Sequence, residues 1–206
     1  MKAFLRNKGY LFSIIFFVSF LIIGLLIYDD YGVSVDELIE RNTGLITIKY
    51  VLHEKFKLES LPDAILEAAD LLTYEDKDYG IVLQLPPLLI EYMNNFKLDI
   101  MTVLKIRHLW VFINFYCACI FFYLLINKRF HNWSISLIGV LFLILSPRIF
   151  ADSFYNIKDL MFLSWFIISL FFYVQFIDSP TLWRSFILSI VISLSSNIRV
   201  IGLIIL

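Results

Sequence analysis

Apolar runs alternate with polar connections along this chain, and their lengths indicate membrane helices. The first run, Leu11 to Ile27, holds 17 uncharged residues between Tyr10 and Tyr28. As a helix it would extend about 26 Å, which is close to the thickness of a bilayer core. The pattern predicts spans at about 10–28, 109–126, 132–147, 160–177 and 185–206. We therefore expect an all-α membrane protein, a polytopic bundle of about five transmembrane helices.

The long polar segment 29–108 separates the first two runs, and its pattern predicts short helices at the membrane surface. Ser60-x-x-Asp63 resembles a helix start, and the residues after it would place Asp63, Glu67 and Asp70 on one acidic face. The apolar stretch from Tyr79 to Ile90 is too short to span and is interrupted by two prolines. We interpret it as interfacial or re-entrant.

The distribution of Lys and Arg predicts the orientation of the chain. Basic residues occur at the N-terminus and in two short connections, at Lys2, Arg6, Lys8, Lys128, Arg129 and Arg184. These positions lie on one side if every run crosses once, and the positive side is cytoplasmic. The N-terminus is then cytoplasmic, and 29–108 and 148–159 are outer loops. We expect one membrane domain over 1–206, in the inner or plasma membrane of a bacterium.

Composition agrees with this class and argues against several others. Hydrophobic residues make up 60% of the chain, well above the share in a soluble domain. The net charge of −1 comes without a basic tract, so nucleic acid is not an expected partner. Cys117 and Cys119 are two apart on a predicted helix and would point to different faces. His53 and His108 lack metal-ligand spacing, and we interpret both as surface or interface histidines.

The first candidate site follows the first apolar run. Ser34-x-x-Glu37 is a capping-box pattern, so Asp36 and Glu37 would lie in the first turn of a helix. The helix dipole favours their ionised forms there. Such a carboxylate can accept a proton from a hydroxyl or hold a cation. The alternative is that both acids only complement the helix end.

A second candidate site is the connection from Ser146 to Asp159, which holds Arg148, Asn156 and Lys158. Alone it also fits an ordinary polar loop, but it is expected on the same membrane face as Asp36. Arg199 lies 15 residues after Arg184, which places it near the outer boundary of the fifth run. Its guanidinium could hold a lipid phosphate, or it could extend to the interface from a helix end.

With these motifs in place, the chain resembles the polytopic GT-C glycosyltransferases that take sugar from a polyprenyl-phosphate carrier. These include the dolichyl-phosphate-mannose protein mannosyltransferases of glycosyltransferase family 39 and related bacterial enzymes. The resemblance rests on three motifs: Tyr31-Gly32-Val33-Ser34-Val35-Asp36-Glu37, the stretch from Ser146 to Asp159, and Asn197-Ile198-Arg199. Ile157 stands where proline is expected.

The resemblance implies inverting sugar transfer on the outer membrane face. Asp36, beside Glu37, would deprotonate an acceptor hydroxyl that attacks the anomeric carbon. Arg148, Lys158 and Arg199, with Asn156 nearby, would bind the departing phosphate. Asp159 would orient the acceptor or hold a divalent cation, and the resemblance leaves the metal open. The partners would be a polyprenyl-phosphate-linked sugar, membrane lipid, and a glycan, lipid or protein acceptor.

Members of the family usually have more spans and often an outer C-terminal domain. The chain stops at Leu206 within an apolar run, so we expect an N-terminal or truncated part of such an enzyme. The rival interpretation is a non-enzymatic fragment of a transporter or assembly partner. A transporter should place polar residues near the bilayer centre in broken helices.

Overall fold

The computed structural model describes the backbone of residues 2–205 and the side chains of residues 9–205. All regular elements in this range are helical. The α-helices are α1 Lys2–Ile27, α2 Val35–Lys49, α3 Asp63–Leu66, α4 Leu85–Met93, α5 Ile100–Phe130, α6 Trp133–Ile144, α7 Pro147–Tyr155, α8 Asp159–Asp178 and α9 Leu182–Ile198. A π-helical turn covers Tyr50–Lys55, and 3-10 turns cover Leu71–Thr73, Val82–Gln84 and Val200–Ile205.

Three helices are long and apolar enough to cross a membrane, as expected of a membrane protein. They are Gly9–Ile27 of α1, Ile100–Phe130 and Asp159–Asp178. Helices α6 and α7 together could form a fourth span, although they are bent by 71°. Helix α9 is apolar but shorter. The all-helical class is confirmed, and the described residues hold three or four candidate spans by length and composition.

Aromatic side chains fill the core where α1, α5 and α7 meet. Phe112 of α5 and Phe154 of α7 are fully buried, and their rings stack with centroids 5.2 Å apart. Gly24 allows α1 to approach, since a Cβ there would lie 1.8 Å from the Phe112 ring. These contacts hold the end of α1 beside α7, so the first polar segment starts next to the second.

Helix α5 begins well before the predicted span 109–126. Asp99 caps it, accepting a hydrogen bond from the Thr102 amide at 2.9 Å. The helix that contains the second predicted span therefore starts at Ile100, nine residues before that span. Arg107 and His108 consequently lie within α5 rather than in a connection.

The connection 148–159, predicted as a loop, is mostly the helix α7. Pro147 occupies the first turn of α7, where a missing amide hydrogen costs nothing. The same proline cannot continue α6, which ends at Ile144. The predicted connection 148–159 is therefore largely helical.

The short helices of the polar segment 29–108 differ from their predicted extents. The helix predicted after Ser60 covers only Asp63–Leu66, so no long acidic face forms. Ile65 is instead buried against Leu45 and Leu88. The stretch from Tyr79 to Ile90 becomes a 3-10 turn followed by α4, with its prolines in the first turn of α4.

The predicted span 185–206 does not continue as one helix. Helix α9 ends at Ile198, and Arg199 has an extended backbone. The Gly202 amide donates to the Arg199 carbonyl at 2.8 Å. A Cβ on Gly202 would lie 2.7 Å from the Ser196 nitrogen, so the residues after Arg199 fold back against the end of α9.

Candidate functional site

The predicted capping box at the start of α2 is present. The Ser34 side chain accepts from the Asp36 amide at 3.2 Å, and the Ser34 amide donates to Glu37 Oε2 at 2.8 Å. The side chains of Asp36 and Glu37 differ in exposure. Asp36 is exposed, whereas Glu37 is 0% exposed. The structure thus leaves Asp36 accessible to a substrate and places Glu37 inside the protein.

The second motif uses Asn156 to begin α8. Its Oδ1 accepts from the Asp159 amide at 2.8 Å and from the Lys158 amide at 3.3 Å. This arrangement fixes the backbone that carries Lys158 and Asp159. Asn156, predicted to contact substrate, has its side-chain oxygen occupied by these two amides.

The second motif contacts α2, the polar segment after it and the first motif. Lys158 Nζ lies 3.4 Å from Glu40 Oε1 and 3.6 Å from the centroid of the Tyr79 ring. Tyr31 of the first motif stacks on Phe154 of the second, with ring centroids 4.5 Å apart. The Lys158–Glu40 and Tyr31–Phe154 contacts each join residues more than a hundred positions apart in sequence.

Glu40 is a site residue that sequence reasoning missed. It is buried, and desolvation raises the pKa of its carboxyl group, with Asp36 and Asp76 adding negative charge nearby. Lys158 acts in the opposite direction and lowers this pKa. The available signal was its spacing of four residues from Asp36, which places both side chains on one face of α2.

Arg199 joins the same region through Asp159. The two side chains form an exposed ion pair at the end of α9. The adjacent Asn197 accepts a hydrogen bond from the Val82 amide at 3.0 Å, and Gly80 packs against it. We call Asp36, Glu40, Lys158, Asp159 and Arg199 the surface cluster.

Arg148 does not belong to the surface cluster. Its side chain is 88% exposed, and its guanidinium lies 3.6 Å from Asp152 one turn along α7. The structure therefore brings together two of the three predicted phosphate-binding cations and leaves the third apart.

A second group of charges lies beneath the surface cluster, inside the protein. Arg41 Nε donates to Glu91 Oε2 at 2.8 Å, and Arg107 Nη1 donates to Gln84 Oε1 at 2.9 Å. Arg107 Nη2 lies 3.6 Å from Glu91 Oε1, and both residues are almost completely buried. This group ties α2, α4 and α5 together.

His108 belongs to this interior group, so the prediction of a surface or interface histidine is wrong. It is 2% exposed, and its Nε2 lies 3.0 Å from Glu37 Oε1. The contact is close but poorly aligned, so neither atom makes a directed hydrogen bond. We call Glu37, Arg41, Gln84, Glu91, Arg107 and His108 the buried cluster. His53, in contrast, is partly exposed and pairs with Glu54.

The surface cluster offers acids and cations on adjoining helix ends. An exposed carboxylate can accept a proton, and an ammonium and a guanidinium can bind an anion. Among residues 9–205, no group of three or more His, Cys, Asp or Glu side chains is arranged to hold a metal ion.

Comparison with models of protein families, with curated proteins and with solved structures found no match to this chain.

Proposed function

We propose that the protein is an inverting glycosyltransferase that moves a sugar from a polyprenyl-phosphate carrier to an acceptor hydroxyl. The observation that carries this proposal is the ion pair between the second motif and α2, the helix that the first motif begins: Lys158 Nζ lies 3.4 Å from Glu40 Oε1. Acidic and basic side chains lie next to each other there. Sugar transfer from a phosphate carrier needs both a general base and a cation that binds the phosphate.

Asp36 is the proposed general base. It is exposed, and its amide rather than its carboxylate serves the helix cap. The carboxylate takes the proton from the acceptor hydroxyl as the oxygen bonds to the anomeric carbon. The bond from that carbon to the phosphate oxygen breaks on the opposite face, which inverts the configuration.

Lys158 and Arg199 are the proposed partners of the departing phosphate. Negative charge grows on that phosphate in the transition state, so positioned cations stabilise the transition state more than the ground state. Each cation is held by an acid, Glu40 for Lys158 and Asp159 for Arg199. In this scheme Glu40 and Asp159 orient the cations, while Glu37 positions the start of α2.

We further propose five membrane crossings with a cytoplasmic N-terminus and the surface cluster outside. Helix α9 would be the short fifth crossing, and α4 would lie at the interface, where Leu85, Leu89 and Met93 are exposed. Asp70→Cys, with Cys117 and Cys119 changed to alanine, should react with an impermeant maleimide in intact cells. Reaction only after permeabilisation would reverse this topology.

A non-enzymatic transporter or assembly partner is the second candidate. The bend of 71° between α6 and α7 and the end of α9 at Arg199 favour it, because discontinuous helices line transporter sites. The charges of the surface cluster at helix ends favour the enzyme.

Sugar transfer by the purified protein in lipid nanodiscs tests the proposal. A panel of polyprenyl-phosphate sugars serves as donor, and release of polyprenyl phosphate is measured. The control for Asp36→Asn is Asp30→Asn, an exposed acid of the same segment. We expect transfer by wild type and Asp30→Asn but not by Asp36→Asn. Donor binding without any turnover in wild type would instead support the second candidate.

A further inference from the structure

The first turn of α2 is held from inside by one pair of side chains. Glu37 Oε2 accepts from the Ser34 amide, and Glu37 Oε1 faces His108 Nε2 at 3.0 Å. On its other side, His108 Nδ1 lies 3.1 Å from the Tyr28 carbonyl oxygen at the end of α1. Each ring nitrogen of His108 therefore faces one hydrogen-bond acceptor.

These two contacts determine which protonation forms of the His108 imidazole are favourable. A neutral imidazole carries one N–H, and its other nitrogen is an acceptor. With the hydrogen on Nδ1, the Nε2 lone pair faces the Glu37 carboxylate. With the hydrogen on Nε2, the Nδ1 lone pair faces the Tyr28 carbonyl. Either neutral form places two acceptors against each other, whereas an added proton makes both contacts favourable.

The charges around the pair come from three helices and are nearly balanced. Helix α2 contributes Glu37 and Arg41, α4 contributes Glu91, and α5 contributes Arg107 beside His108. Arg41 pairs with Glu91, and Arg107 lies within electrostatic range of both glutamates. Asp29 and Lys105 pair at 3.2 Å on the surface nearby. One proton on His108 therefore changes the net charge of the buried cluster from zero to +1.

We propose that the Glu37–His108 pair is a proton-operated latch on the first turn of α2. With the proton present, the imidazolium attracts Glu37 and holds the turn against α1 and α5. Loss of the proton with rising pH leaves one of the two contacts acceptor against acceptor, either with Glu37 Oε1 at 3.0 Å or with the Tyr28 carbonyl at 3.1 Å, and releases the turn. The latch goes beyond sugar transfer and does not depend on it.

Spin labels on either side of the surface cluster can report the latch without any substrate. Val35, 78% exposed at the start of α2, and Arg148, on α7, are changed to cysteine after Cys117 and Cys119 are changed to alanine. The distance distribution between the labels is recorded in nanodiscs from about pH 5 to about pH 9, a range that includes the ordinary pKa of a histidine side chain, about 6.5. We expect one narrow distribution at acidic pH. At alkaline pH it should broaden or shift by about 5 Å, one helical turn.

Two histidine variants make this experiment decisive. His108→Gln cannot titrate and should abolish the pH dependence, while the partly exposed His53→Gln should retain it. If His108→Gln does not fold, Glu37→Gln removes the same pair while keeping an acceptor for the Ser34 amide. A distance independent of pH in the wild type would overturn the latch, and so would pH dependence that persists in His108→Gln. Neither result bears on whether the protein transfers sugar.

Discussion

The surface cluster and the buried cluster use the same helix in opposite ways. Asp36 and Glu40 lie on one stripe of α2, and Glu37 and Arg41 lie on the next. The first stripe faces Lys158, and the second faces Glu91 and His108. A difference of one position thus separates Asp36, which is exposed, from Glu37, which is buried and holds the start of the helix in place.

The difference in burial explains why the charges of the two clusters have different roles. A buried charge is tolerated only with partners, and removal of one partner leaves the other unpaired in the interior. An exposed charge can lose its partner to water at little cost. We therefore expect substitutions in the buried cluster to affect mainly stability, and those in the surface cluster to affect mainly transfer.

The largest expected loss of stability follows removal of Glu91. Glu91→Ala leaves Arg107 fully buried and without its acid, and it also frees Arg41. We expect the free energy of unfolding to fall by about 3–5 kcal/mol. Unfolding in mixed micelles measures this. Glu54→Ala, which removes an exposed acid, is the control and should cost less than about 1 kcal/mol. An equal fall in the free energy of unfolding in both variants would mean that Glu91 in the buried cluster contributes no more to stability than an exposed acid does.

A somewhat smaller effect, on rate rather than stability, is expected at Lys158. Lys158→Met keeps an unbranched side chain over Tyr79 but removes the cation near Glu40. We expect turnover to fall by about 10²–10³-fold, as when one donor to a developing anion is lost. Lys105→Met, at an exposed pair with Asp29, is the matched control. If both variants retained wild-type turnover, Lys158 would not act on the phosphate.

The smallest expected effect is a pH dependence from Glu40. Because burial raises its pKa, the folded state holds the proton of Glu40 more tightly than the unfolded state does. Stability from this group is therefore present at acidic pH and declines as pH rises above the ordinary glutamate range, about 4.3. Glu40→Gln should flatten this part of the curve of melting temperature against pH, and the exposed Glu54→Gln should not. A curve unchanged in Glu40→Gln would show that burial does not govern this carboxyl group.

Local patterns predicted local structure well in this chain. Ser34-x-x-Glu37 gave the start of α2, and the apolar runs gave α1, α5 and α8. Arg199 was predicted near the outer boundary of a span that continues to residue 206, whereas α9 ends at Ile198 and Gly202 packs on its last turn. Such patterns depend on a few neighbouring residues, so they can be recognised in the sequence alone.

Contacts between segments distant in sequence could not be predicted from such local patterns. His108 has no metal-ligand spacing, and its burial follows from the packing of α2 on the early start of α5. The pairing of Glu40 with Lys158 likewise depends on how α7 turns the chain back toward α2. That the first and second motifs lie close together was predicted, but the partner of each charge was not.

The most direct test compares two neighbouring acids, Asp36 and Glu37, for both turnover and stability. Asp36→Asn should lose about 10²–10⁴-fold in sugar transfer and change the free energy of unfolding by less than about 1 kcal/mol. Glu37→Gln should lose about 1–3 kcal/mol of stability, because its contact with His108 is lost, and keep turnover within about tenfold. Wild-type turnover in folded Asp36→Asn, or an equal loss of turnover in both variants, would contradict this division between the two stripes of α2.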